Sequence, residues 1–198
     1  MLPGNMQDYA MRIPVSLETL QKIGSATLLG ATAVVGAAIE IEGSTGRILN
    51  GAGGITWFAA AGMLGVAAVK SGEPKQRWLV AIGLTAVVAF VAKPTDLTLA
   101  ASGLGASGVI IASLVRKHPL LWATLIPALY LPMHIGTAIL KAIGRSALGM
   151  ESSIRSEPPP TAAIVPFVMV AAAMIGGWIV SRVRDNRSGG KLGMLTGR

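Results

Sequence analysis

The sequence contains no cysteine, which excludes disulfide bonds, thiolate metal sites and thiol catalysis within its 198 residues. Histidine occurs only twice, at His118 and His134. Sixteen residues on one helix separate the pair by ~24 Å, so the two imidazoles cannot face each other as haem ligands. We therefore predict no cofactor and no metal.

Charged and aromatic residues are also scarce, at 13% and 5% of the chain, whereas 52% of the residues are hydrophobic. A soluble domain could not cover that much apolar surface. The apolar residues fall into runs of the length that crosses a bilayer as a helix, and none shows the alternation of a membrane barrel strand. The sequence predicts an all-α, polytopic membrane protein, a six-transmembrane-helix bundle with spans at 24–41, 51–69, 78–92, 97–115, 119–140 and 161–181.

Lysine and arginine are distributed unevenly between the two sides of this bundle. Twelve lie at the two termini and in the second and fourth connections, and five lie in the other three connections. The positive-inside rule then predicts a multi-pass protein of the cell membrane with both termini in the cytoplasm. The pI near 10.5 follows from this arrangement and from anionic lipid headgroups, so we predict no nucleic-acid partner.

Three regions are expected along the chain: an N-terminal interfacial segment at 1–23, a transmembrane domain at 24–181 and a basic, flexible cytoplasmic tail at 182–198. No convincing cleavage site of a signal peptide occurs near the N-terminus. Ser16 is a candidate N-cap, and Glu18 lies in the favourable first turn of the helix that would follow it.

Residues Gly105–Gly108 read G-x-S-G in the fourth span. This motif resembles the one that carries the nucleophile of rhomboid intramembrane serine proteases. The six spans, the short third span and the polar turn KPTD at 93–96 are also similar to that family. The resemblance implies that Ser107 is the nucleophile of a serine hydrolase.

The family places its catalytic histidine on the sixth helix, and the sixth span of this chain has none. His134, in the fifth span, is the alternative base. The family's long first loop and the His and Asn of its second helix are missing, because 43–50 is expected to form a short turn. The competing interpretation is that glycine, alanine and serine at this spacing form a helix-contact face.

A second group of polar residues is expected at the outer mouth of the bundle. Ion pairs from Glu40 to Lys141 or Arg145, or a solvated vestibule, would reduce the cost of ionisable groups near membrane depth. The alternative is that these side chains extend to the headgroups. The predicted outer polar cluster consists of Glu40, Glu42, His134, Lys141 and Arg145.

Prolines 127, 132 and 166 are expected to interrupt the fifth and sixth spans. Two pairs of glycines, Gly62 with Gly65 and Gly176 with Gly177, suit internal contacts or a partner helix equally well. The bilayer, partner helices and a homo-oligomer are the expected partners. We predict a non-enzymatic membrane-embedded binding, transport or complex-forming component; the alternative is a rhomboid-like protease or a catalytically dead relative.

Overall fold

The computed structural model describes residues 14–41, 43–91, 97–147 and 164–195, and within these ranges every regular element is helical. The predicted all-α helical bundle is confirmed. In chain order the helices are α1 (Leu17–Glu40), α2 (Gly43–Lys70), α3 (Lys75–Val91), α4 (Leu97–Leu114), α5 (Pro119–Ala147) and α6 (Val165–Leu195).

Ser16 caps α1 as predicted. Its backbone is extended (φ −66°, ψ 153°), and its hydroxyl accepts a hydrogen bond from the Thr19 amide at 3.1 Å. Glu18 lies in the first turn and pairs with Lys22 one turn later at 2.7 Å. The helix thus begins at Leu17, seven residues before the predicted span.

Helices α1 and α2 form a hairpin with the most extensive contacts in the protein. Close approach depends on glycine: a Cβ at Gly24 would lie 2.9 Å from Leu64, and one at Gly53 would lie 2.8 Å from Val35. The expected turn at 43–50 is wrong, because α2 starts at Gly43. Gly43 has a φ of +81°, a left-handed backbone conformation that glycine adopts without steric cost.

Helix α5 is the central element, since it contacts α2, α3, α4 and α6. Every residue from 121 to 128 is buried. The threonines in the interior, Thr32, Thr85 and Thr124, bond carbonyls of their own helices, so their burial leaves no hydroxyl unsatisfied. The largest fully buried side chains include Trp122, Leu28, Leu64, Leu104, Ile111 and Leu121.

Four segments are long and apolar enough to cross a membrane: Leu17–Glu40, Gly43–Lys70, Pro119–Thr137 and Val165–Asn186. Thr98–Leu114 is a shorter apolar helix. Large apolar side chains cover the outside of the bundle, which in water would be unfavourable over so wide an area. They include Ile55, Leu79, Ile48, Phe90 and Leu140. The protein is therefore embedded in a membrane.

The prolines were expected to interrupt the helices, and this prediction is wrong. Helix α5 stays helical through Pro127 and Pro132. Pro166 lies in the first turn of α6, where its missing amide hydrogen has no helical partner to lose. Helix α6 continues beyond the predicted span end at 181 to Leu195, so most of the segment expected to be a tail is helical.

Candidate functional site

Pro132 leaves one carbonyl in the centre of the protein without its usual partner. In an α-helix the amide of residue 132 would donate to the carbonyl of Ala128, but proline has no amide hydrogen. The indole Nε1 of Trp57, on α2, donates to that carbonyl at 3.0 Å. Trp57 is buried, so this bond both satisfies the helix defect and fixes α2 against α5.

Tyr130 lies two residues after this carbonyl, and only 4% of its surface is exposed. Its hydroxyl is buried, and no hydrogen-bond partner for it occurs among the described residues. Its ring stacks on the half-buried imidazole of His134, with 5.7 Å between ring centroids and 15° between planes. A buried phenol without a partner costs about 1–3 kcal/mol, so this position suits a bound water or ligand.

Ser107 is 4% exposed and lies at a different depth from His134. The adjacent Gly176 and Gly177 on α6 contact Val109 and Ala123, which puts those two residues at one level of the bundle. Measured from this level toward the end of the bundle that is opposite the α4–α5 turn, Ser107 lies two residues from Val109 along α4. His134 lies eleven residues from Ala123 along α5, so the two differ by nine residues. At 1.5 Å per residue, the two proposed catalytic residues are about 13 Å apart along the axis.

The glycines of the G-x-S-G motif pack directly against α6. A Cβ at Gly105 would lie 3.5 Å from Ala172, and one at Gly108 would lie 3.0 Å from the carbonyl oxygen of Ala173. The helices α4 and α6 consequently pack with very short separation. This packing accounts for both glycines without catalysis, whereas the pairing of Ser107 with His134 stays a prediction.

The outer polar cluster is described only in part. Glu40 is exposed and forms no ion pair with any described side chain. Glu42 and the side chains of Lys141 and Arg145 lie outside the described residues. The proposed ion pairs to Glu40 therefore stay predictions.

A buried carboxylate organises one end of the bundle. Glu73, 8% exposed in the α2–α3 connection, accepts hydrogen bonds from the amides of Arg116 and Lys117, both at 2.7 Å. Arg184, on α6, donates to the carbonyls of Arg116 at 3.1 Å and Ala112 at 3.2 Å. The Glu73 carboxylate thus accepts hydrogen bonds from amides of the α4–α5 turn, and the Arg184 guanidinium donates to carbonyls of that turn and of the last residues of α4.

Two further bonds join other elements to the same end, which we call the basic end. Lys70 donates to the carbonyl of Val15 at 2.7 Å, and Trp122 donates to the hydroxyl of Ser71 at 3.3 Å. Four parts of the chain therefore meet here: the N-terminal segment, the second connection, the fourth connection and α6. These are the parts whose lysines and arginines were counted together on one side of the bundle. Sequence reasoning missed Glu73, although it is the only acid between Lys70 and Arg77.

Among the described residues, no group of three or more His, Asp or Glu side chains is placed to hold a metal ion. Comparisons with protein-family models, curated proteins and solved structures returned no match. The functional interpretation therefore depends on the residues of this chain alone.

Proposed function

We propose that the protein is a non-enzymatic, membrane-embedded binding protein whose ligand site lies at Tyr130 on α5. The observation that carries the proposal is the buried Tyr130 hydroxyl without a described partner. A native fold rarely leaves such a donor unsatisfied inside a membrane, where water is excluded. A ligand oxygen that accepts this hydrogen bond would remove the penalty.

The ligand is a small uncharged molecule with an acceptor oxygen. The spans contain no Asp, Glu, Lys or Arg between residues 24 and 39, 48 and 69, 78 and 91, 97 and 115, 119 and 140, or 164 and 181. A charged solute would need such a partner at that depth. Tyrosine offers a hydrogen-bond donor, and the stacked His134 ring gives a flat aromatic surface beside it.

In this proposal all six helices cross the membrane, and the basic end faces the cytoplasm. Support comes from the hydrogen bonds that gather four chain segments at the end richer in lysine and arginine. The Tyr130 site then lies close to the middle of the bilayer. From Pro119 at the basic end, eleven residues of helix place Tyr130 about 16 Å into the membrane.

The chain has only two tyrosines, which makes the site easy to observe. Protein labelled with 3-fluorotyrosine gives two ¹⁹F resonances, and Tyr9→Phe assigns them. Addition of uncharged acceptor solutes, beginning with short amides, ketones and polyols, should shift the Tyr130 resonance in a saturable way and leave that of Tyr9 in place. Equal, non-saturable shifts of both resonances would contradict a site.

A second candidate function is complex formation through the outer face of α2. Four glycines of this helix have open space where a Cβ would be, unlike Gly176 and Gly177, which contact α4 and α5. A partner helix or a second copy could approach closely there. The four glycines are Gly51, Gly54, Gly62 and Gly65.

Because the chain lacks cysteine, this candidate can be tested with single cysteines. Oxidation of Gly62→Cys in membranes should give a covalent dimer if two copies meet at this face. Gly30→Cys, on the open side of α1, is the matched control. Equal crosslinking of both variants would indicate random collision and contradict the interface.

A further inference from the structure

The outward face of α6 combines a row of apolar side chains with a single cation at its end. Ile175, Trp178 and Ile179 are about half exposed, and they share one face of the helix with the exposed Arg182. The face is thus apolar along a little more than one turn and positive where the apolar part stops.

Trp178 holds the guanidinium of Arg182 in place. The Cζ of Arg182 lies 5.5 Å from the centroid of the indole ring, in a cation–π arrangement, while 53% of Trp178 remains exposed. Exposed tryptophan is typical of the boundary between hydrocarbon and headgroups. The stacked pair therefore places a positive charge at the headgroup level.

The two arginines at this end of α6 have different roles. Arg184 points to the carbonyls of Ala112 and Arg116 and stabilises the α4–α5 turn. Arg182 points outward and forms no ion pair with a described carboxylate. The nearest acid on its own helix, Asp185, is exposed and lies one turn farther from the apolar residues.

Other cations at the basic end strengthen the positive potential near Arg182. Arg116 and Lys117 are exposed in the turn that Arg184 contacts, and Lys75 is exposed two residues after Glu73. The Glu73 carboxylate is buried and bonded to backbone amides, so it does not pair with these side chains.

We propose that this face of α6 is a binding site for an anionic phospholipid. The acyl chains lie along Ile175, Trp178 and Ile179, and the headgroup phosphate binds Arg182. The partner is a lipid because the apolar row leads directly into the cation, which matches the order of acyl chain and phosphate in one molecule. This inference does not depend on the ligand site at Tyr130.

Quenching by brominated lipids tests the proposal on the full-length protein in mixed vesicles of phosphatidylcholine and phosphatidylglycerol. One lipid is brominated at a time, and the signal of Trp178 is obtained by subtracting the emission of a Trp178→Phe variant. We expect phosphatidylglycerol to occupy the site with an association constant about fivefold higher than phosphatidylcholine, the effect of one basic residue near an anionic headgroup.

Arg182→Gln should lower that ratio to about one, and Arg182→Lys should retain most of it, because the charge is kept. Arg47→Gln is the matched control, since Arg47 is an exposed cation of α2 near the opposite end. A ratio of one in the wild-type protein would overturn the proposal. So would a preference that survives Arg182→Gln, because the selectivity would then belong to other cations.

Discussion

Glu73 and Arg184 illustrate, at the scale of single residues, what separates a predictable position from an unpredictable one. The role of Ser16 depends on Thr19, three residues away, so the local sequence was sufficient to predict the cap. Glu73 bonds amides 43 and 44 residues later, and Arg184 bonds carbonyls about 70 residues earlier. No periodicity in one segment indicates which distant turn a side chain will meet.

Trp57 and Tyr130 are also positions whose contacts could not be predicted from the local sequence. Their roles depend on how α2 and α5 pack, and the sequence predicted only that Pro132 would disturb α5. Sequence reasoning selected His134 as the alternative base for Ser107, and the structure adds that its ring stacks on the buried Tyr130. Tyr130, whose buried hydroxyl carries the functional proposal, belongs to no sequence motif that would have pointed to it.

The first prediction concerns the reactivity of Ser107. A serine hydroxyl becomes a strong nucleophile only when a base lies within hydrogen-bond reach, and the axial offset from His134 is about 13 Å. We expect a fluorophosphonate probe to leave the folded protein unlabelled in detergent and in membranes. Labelling that both Ser107→Ala and His134→Ala abolish would contradict this prediction and support the rhomboid-like alternative.

At the scale of elements, hydropathy predicted the existence of the helices well, because each contains an apolar run, and four of the described segments are apolar over a length that can cross a membrane. It predicted their ends poorly. Residues 43–50, 141–147 and 182–195 are polar or mixed, yet each continues a helix that the apolar part has already nucleated. The break in hydropathy marks where the apolar part of a helix stops rather than where the helix ends.

The second prediction concerns the link between α2 and α5. Trp57→Phe should lower the free energy of unfolding by about 1 kcal/mol, because the carbonyl of Ala128 loses the indole donor that replaces the missing amide hydrogen of Pro132. In a Pro132→Ala background the restored amide can take that carbonyl, so the same substitution should cost much less. Denaturation in SDS checks the double-mutant cycle, with Trp178→Phe as the exposed control, and strictly additive effects would contradict the link.

The third prediction distinguishes glycines that pack from glycines that are open. Gly177→Ala puts a methyl group against Ala123 and Leu120, so we expect a loss of about 1–3 kcal/mol in unfolding free energy. Gly62→Ala meets nothing within 4 Å and improves helix propensity, so it should be neutral or stabilising. Both variants are measured by SDS denaturation of the monomer. A Gly177→Ala variant as stable as the wild type would show that the interface between α5 and α6 is not as close as described.

At the scale of the whole molecule, the account requires the basic end and the opposite end to lie on different sides of the membrane. The absence of cysteine makes the wild-type chain a ready background for labelling. In intact cells a membrane-impermeant maleimide should label Ser44→Cys, at the start of α2, and leave Lys117→Cys unlabelled until the membrane is permeabilised. Labelling of Lys117→Cys in intact cells would contradict the proposed orientation.

The most direct test of the central claim, that the fold leaves the Tyr130 hydroxyl for a ligand, is the stability of Tyr130→Phe in purified, ligand-free protein. Removing a buried donor that has no partner should raise the free energy of unfolding by about 1–3 kcal/mol, while Tyr9→Phe should leave it unchanged. The measurement is SDS denaturation of the variants beside the wild type. A stability at or below that of the wild type would mean that the hydroxyl is already bonded within the fold, and the proposed site would be wrong.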